Sequence, residues 1–185
     1  MNYTADDITK FFSQYERNVT HNLVAHTKFR PCNHTQVEID IMAEQAKKDL
    51  RHALNCFAKS LYPNHTSLPK RKPLIYRPLS LVTIENITET TDRQQTIHFN
   101  ISLGNLPKNL CTTMIEIHFR KAWVIEANQQ NDIYITRKDD YPANPKKWFG
   151  YTLKDANHSR MLAWETNGTW DVLNCWIPHD AINTD

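Results

Sequence analysis

Two neighbouring stretches near the middle of this chain alternate apolar and polar residues with a period of two: Leu79-Ser80-Leu81-Val82-Thr83-Ile84-Glu85 and Thr96-Ile97-His98-Phe99-Asn100-Ile101-Ser102-Leu103. Both predict strands. Successive strand side chains point to opposite faces, so His98, Asn100 and Ser102 share one face while Ile97, Phe99, Ile101 and Leu103 form an apolar stripe on the other. The polar run Thr90-Thr91-Asp92-Arg93 lies between them. A hairpin centred on Thr91 and Asp92 sets Glu85 directly opposite His98, and Thr83 opposite Asn100. One carboxylate, one imidazole and one amide then converge.

Helical spacing governs three other segments. Thr4 and Asp7 open a short helix with the apolar face Ile8, Phe11, Phe12 and Tyr15. Thr35 with Glu38 forms a capping-box signature, after which Ile39, Met42, Ala43, Ala46, Leu50, Ala53, Leu54, Phe57, Ala58 and Leu61 repeat at helical spacing up to Pro63. A third helix follows Gly104 and Pro107, with Leu110, Met114, Ile117, Lys121 or Ala122, and Ile125 on its apolar side and Trp123 near its end. Residues 63–78, rich in Pro, Lys and Arg, read as a linker. Asp132–Thr136 predicts a short strand, and Asn167-Gly168 joins Met161–Thr166 to Thr169–Leu173 as a second hairpin.

At 185 residues, 40% hydrophobic and with five Trp, the chain can bury a substantial core, which excludes a disordered tail. No apolar run approaches the roughly 18 residues that span a bilayer. Met1-Asn2-Tyr3-Thr4-Ala5-Asp6-Asp7 lacks the basic start and apolar core of a signal peptide, so a cytoplasmic protein is expected. The net charge of +2 is mild, yet basic residues cluster at Lys70-Arg71-Lys72, Arg120-Lys121, Arg137-Lys138 and Lys146-Lys147, where phosphates could bind.

Cys32, Cys56, Cys111 and Cys175 show no C-x-x-C pair, which favours buried free thiols over a zinc ribbon or a dithiol redox site. Asn2, Asn18, Asn33, Asn64, Asn86, Asn100, Asn157 and Asn167 each begin an N-x-S/T sequon, a density that admits a secreted or surface glycoprotein as an alternative class. Asn100 lies mid-strand, where a glycan is hard to place.

Downstream of the His98 strand come a helix, a strand, and then Tyr151-Thr152-Leu153-Lys154. On a helix Tyr151 and Lys154 share a face. An apolar strand ending at Glu85, a His-hydrophobic-polar strand and Tyr-x-x-Lys, in this order, resemble the HUH endonucleases, which include rolling-circle replication initiators and single-strand transposases. The resemblance spans about residues 79–155. It implies that Tyr151 is the nucleophile that forms a 5′-phosphotyrosine with DNA, that Lys154 offsets phosphate charge, and that Glu85, His98 and Asn100 hold Mg2+ or Mn2+. Asn100 departs from the family pattern, which has a second histidine there; a hard ion accepts an amide oxygen. Glu89 competes with Glu85 as third ligand if the register slips.

The expected fold is α+β: a central, mainly antiparallel sheet covered by helices, which pack on the Phe99 face. A helical N-terminal segment, 1–62, is followed by a basic Pro-rich linker, 63–78, and the HUH-endonuclease-like domain, 79–185. The expected function is metal-dependent nicking and joining of single-stranded DNA in the replication of a plasmid, phage or mobile element. Its partners would be single-stranded DNA and host replication proteins or a separate helicase, since no P-loop is present, and no membrane. A catalytically inactive nucleic-acid-binding domain of the same fold is the first alternative.

Overall fold

The computed structural model describes residues 4–140, 148 and 170–178. Its fold is α+β, with a four-stranded antiparallel sheet in the order β2-β3-β1-β4. In chain order the elements are α1 (Ala5–Ser13), β1 (Val19–His26), α2 (Gln36–Ser60), α3 (Leu68–Arg71), α4 (Pro73–Tyr76), β2 (Leu79–Glu85), β3 (His98–Gly104), α5 (Thr112–Arg120) and β4 (Ile133–Arg137). The expected capping box of Thr35 with Glu38 opens α2, and a second one, Thr4 with Asp7, opens α1, each pair satisfying backbone N–H groups that the first helical turn leaves unbonded.

The register of β2 on β3 pairs Glu85 with His98 and Thr83 with Asn100, as the alternation requires. Residues 86–97 join the strands as a long connection, with Asn86 in the left-handed region at φ 62°. Ile97, Phe99, Ile101 and Leu103 pack beneath α2 and α5, burying Leu50, Leu54, Phe57, Phe119 and Trp123 against them. At its far end the opposite face is apolar, and there Ile8 and Phe12 of α1 with Tyr15 just beyond it cover Leu79, Leu81 and Val19. Toward Glu85 and His98 that face turns polar.

Three readings of the sequence change. Residues 1–62 are not helical throughout: Val19–His26 form β1, which lies between β3 and β4 in the middle of the sheet. Both sides of β1 are covered, so its buried positions include His21 and Asn22 and the alternation disappears. The linker 63–78 contains α3 and α4 and the short 3-10 turn Pro63–His65. The third helix buries Ile115, Phe119, Ala122 and Trp123, while Met114, Ile117 and Ile125 are exposed. The larger aromatic area of Phe119 and Trp123 decides which of its two apolar stripes faces the sheet, and from Lys121 to Glu126 the helix widens into a π-helical turn.

Of the C-terminal hairpin, residues 161–169 lie outside the described residues; Val172–Asn174 form a 3-10 turn, and Trp170 and Trp176 bridge to Thr83 and Ser80 of β2. Gly104 stands where β1 bulges between Val19 and His21; a Cβ there would lie 2.0 Å from the Asn18 carbonyl oxygen. No helix among the described residues is long and apolar enough to cross a membrane.

Candidate active site

The polar face is built row by row from the strand register. Glu85, His98 and His26 are neighbours across β2, β3 and β1, and Thr83, Asn100 and Val24 form the next row. Directly opposed side chains in such rows stand about 5 Å apart and successive same-face residues on one strand about 7 Å apart, so Glu85, His98 and Asn100 are neighbours on one face.

Glu85 is fully buried, and its Oε2 lies 3.1 Å from His98 Nε2. The Asn86 amide donates to the Thr96 carbonyl at 2.8 Å and reaches His98 Nδ1 at 3.2 Å. In the tautomer in which Nδ1 accepts from Asn86, the imidazole N–H is on Nε2 and donates to Glu85. The Thr96 carbonyl also stands 3.4 Å from Nδ1. It offers an acceptor for the other tautomer, the one that frees the Nε2 lone pair for a metal ion. Gln95 fixes Asn86 in turn by donating to its Oδ1 at 2.7 Å.

Asn100 is 2% exposed, and neither its amide oxygen nor its amide nitrogen has a hydrogen-bond partner among the described residues; nor has the hydroxyl of Thr83 opposite it. Buried amides are almost always bonded, so an orphan of this kind calls for a water or an ion. The donor set beside it, carboxylate oxygen, imidazole nitrogen and amide oxygen, suits a hard or borderline divalent cation. The residues therefore fit the ion that the HUH resemblance implies. Asn100 at 2% exposure and Asn86, whose amide is engaged internally, are closed to the sequon reading.

His26 and Asn86 belong to this site although neither stood out in the sequence. The His26 ring stacks on that of His98 with centroids 4.9 Å apart and planes 24° apart, and its Nδ1 meets the Thr96 hydroxyl at 2.7 Å. Burial, then the neighbouring His98, hold the His26 imidazole below its ordinary pKa, with Asp132 opposing them. The Trp123 indole fixes the same residue from the helix side by donating to the His26 carbonyl at 3.1 Å. Glu89 does not replace Glu85: it is exposed and accepts from the Gln36 backbone N–H at the start of α2.

Tyr151 and Lys154 lie outside the described residues, as do Lys146 and Lys147. Trp148, three positions before Tyr151, is buried, and its indole donates to the Ser102 hydroxyl at 3.0 Å. Ser102 lies one same-face step beyond Asn100 on β3. At the far end of the sheet, Arg137 and Lys138 line an open cleft of about 540 Å³ with Arg17, His21 and Lys108. All four cysteines are free, and burial pushes the Cys175 thiol up to about 12, which makes it inert near neutral pH.

No family model, curated protein or solved structure matches this chain.

Proposed function

We propose that this protein is a metal-dependent enzyme that nicks and joins single-stranded DNA, with Tyr151 as nucleophile and Glu85, His98 and Asn100 as the metal-binding set. The observation that carries the reading is the buried, unbonded Asn100 amide beside the Glu85–His98 pair. A divalent ion held there would polarise the scissile phosphate and stabilise the leaving 3′ oxygen.

The side chains divide the remaining work. Glu85 and Asn86 orient His98 from its two ring nitrogens, and His26 braces the ring from one face. Trp148, three positions before Tyr151 in the sequence, anchors the chain on the sheet face that carries Asn100. The Tyr151 phenol gives its proton to solvent and attacks phosphorus, the bond to the 3′ oxygen breaks, that oxygen takes a proton from solvent, and the resulting hydroxyl can reverse the step. Lys154 offsets phosphate charge as the phenol approaches. The Arg17, Lys108, Arg137 and Lys138 cleft suits the backbone of a DNA segment outside the scissile step. The four free cysteines accord with the cytoplasmic setting such an enzyme needs.

Incubation with single-stranded, hairpin-bearing DNA and Mn2+ tests the proposal on a denaturing gel. Wild type gives metal-dependent cleavage, and Tyr151→Phe and His98→Ala do not; the absence of cleavage by wild type across a range of origin-like hairpins rejects it. A second reading, a domain that binds DNA without cutting it, is favoured by one observation: an amide stands where the family has an imidazole. It predicts DNA binding that is unaffected by Tyr151→Phe and by chelators.

A further inference from the structure

On the opposite side of the sheet from Glu85 and His98, three metal-ligating side chains face one another. His52 and Cys56 stand one turn apart on α2, and Glu126 ends the π-helical turn that extends α5. One ligand atom from each, imidazole nitrogen, thiol sulfur and carboxylate oxygen, lies within 4.8 Å of the other two. Among the described residues His52 bonds only to Cys56, and Glu126 has no hydrogen bond or ion pair. Three groups of ligand chemistry thus share a small volume.

The geometry suits one kind of ion. Tetrahedral zinc bonds of about 2.0–2.3 Å imply ligand atoms roughly 3.3–3.7 Å apart, and His52 Nε2 is 3.7 Å from Cys56 Sγ. A thiol among the donors selects a borderline cation over Mg2+ or Ca2+. Burial and hydrogen bonds hold the frame that sets the third ligand. Trp123 is fully buried against α2, Gln129 donates to Asp49 of α2 at 2.6 Å, and the Ala127 N–H bonds back to Ala122 at 3.1 Å, closing the wide turn that presents Glu126. Such π-helical turns recur at functional positions.

We propose that His52, Cys56 and Glu126 form a second metal site, which takes a divalent ion of the zinc class with water in the fourth position and clamps the end of α5 to α2. On binding, the Cys56 thiol releases its proton to solvent and the thiolate, imidazole nitrogen and one carboxylate oxygen donate to the ion.

Cobalt(II) titration of the full chain tests the site, because a thiolate ligand gives a charge-transfer band that the oxygen- and nitrogen-liganded centre at Glu85, His98 and Asn100 cannot produce. Wild type is expected to show the band and to lose it when zinc is added. Cys56→Ser abolishes it, and His52→Ala and Glu126→Gln each weaken cobalt affinity more than about tenfold, whereas Cys32→Ser and Cys111→Ser leave it in place. Circular dichroism confirms that each variant is folded. A wild-type protein with no band, a band that survives Cys56→Ser, or affinity indifferent to both His52→Ala and Glu126→Gln overturns the proposal.

Discussion

The Glu85 carboxylate and the His98 imidazole, paired across adjacent antiparallel strands, meet at 3.1 Å with Glu85 wholly buried. A buried acid beside an imidazole is a structural liability unless each satisfies the other, and removing one partner of a buried pair typically costs about 3–5 kcal/mol. His98→Ala is therefore expected to destabilise the fold by about 3 kcal/mol and Glu85→Gln by less, because Gln keeps volume and removes the charge. Urea denaturation of both variants and the double variant should show strong coupling. Additive effects would mean that the two side chains do not depend on each other.

Asn100 should behave in the opposite way. Its amide is buried without a partner among the described residues, and replacing such a group by an apolar one of similar shape is close to neutral or stabilising. Asn100→Leu is expected to leave the thermal midpoint unchanged or raised while abolishing Mn2+-dependent cleavage. A loss of more than about 2 kcal/mol would show that the amide is already satisfied in the folded protein.

Asn86 tests the support around His98. Its φ of 62° is one that glycine adopts without strain, so Asn86→Gly removes the amide held against the ring and keeps the backbone. The expected outcome is a folded protein with roughly 10–100-fold weaker Mn2+ binding, the usual cost of losing an outer-shell partner. Calorimetric titration with Mn2+ measures it, and unchanged affinity would exclude Asn86 from the site.

Histidine burial sets a pH dependence. The His21 imidazole lies below its ordinary pKa, near 6.5, chiefly through burial and next through Arg137, with Asp140 opposing them. The unfolded chain then binds the proton more readily than the folded one, so the contribution to stability is complete above about pH 6.5 and is lost as pH falls toward the folded value. Stability of wild type relative to His21→Gln should decline over that interval. The comparison cancels Asp171, whose carboxyl burial raises and which acts in the opposite sense. A flat difference would contradict the burial of His21.

Much of the site could be read in the sequence because period-two alternation fixes both face and register. Glu85 and His98 are equidistant from the Thr91–Asp92 centre, so their pairing follows even though residues 86–97 form a long connection rather than a tight turn. β1 could not be read in this way. Covered on both faces and carrying Thr20, His21, Asn22 and His26, it has no clean alternation, so nothing in the pattern marks His26. Asn86 was equally hidden, although an asparagine that ends a strand is a good candidate for the left-handed conformation it adopts. The apolar face of α5 failed for another reason: its two stripes differ little in hydrophobicity, and aromatic volume settles between them.

The most direct test of the central claim is mass mapping of the covalent protein–DNA adduct formed with single-stranded DNA and Mn2+. A nucleotide-bearing peptide containing Tyr151, absent when Mn2+ is withheld and absent from His98→Ala, is the predicted result. Attachment at another residue such as Tyr141, or an adduct that forms without Glu85, His98 and Asn100, would contradict it.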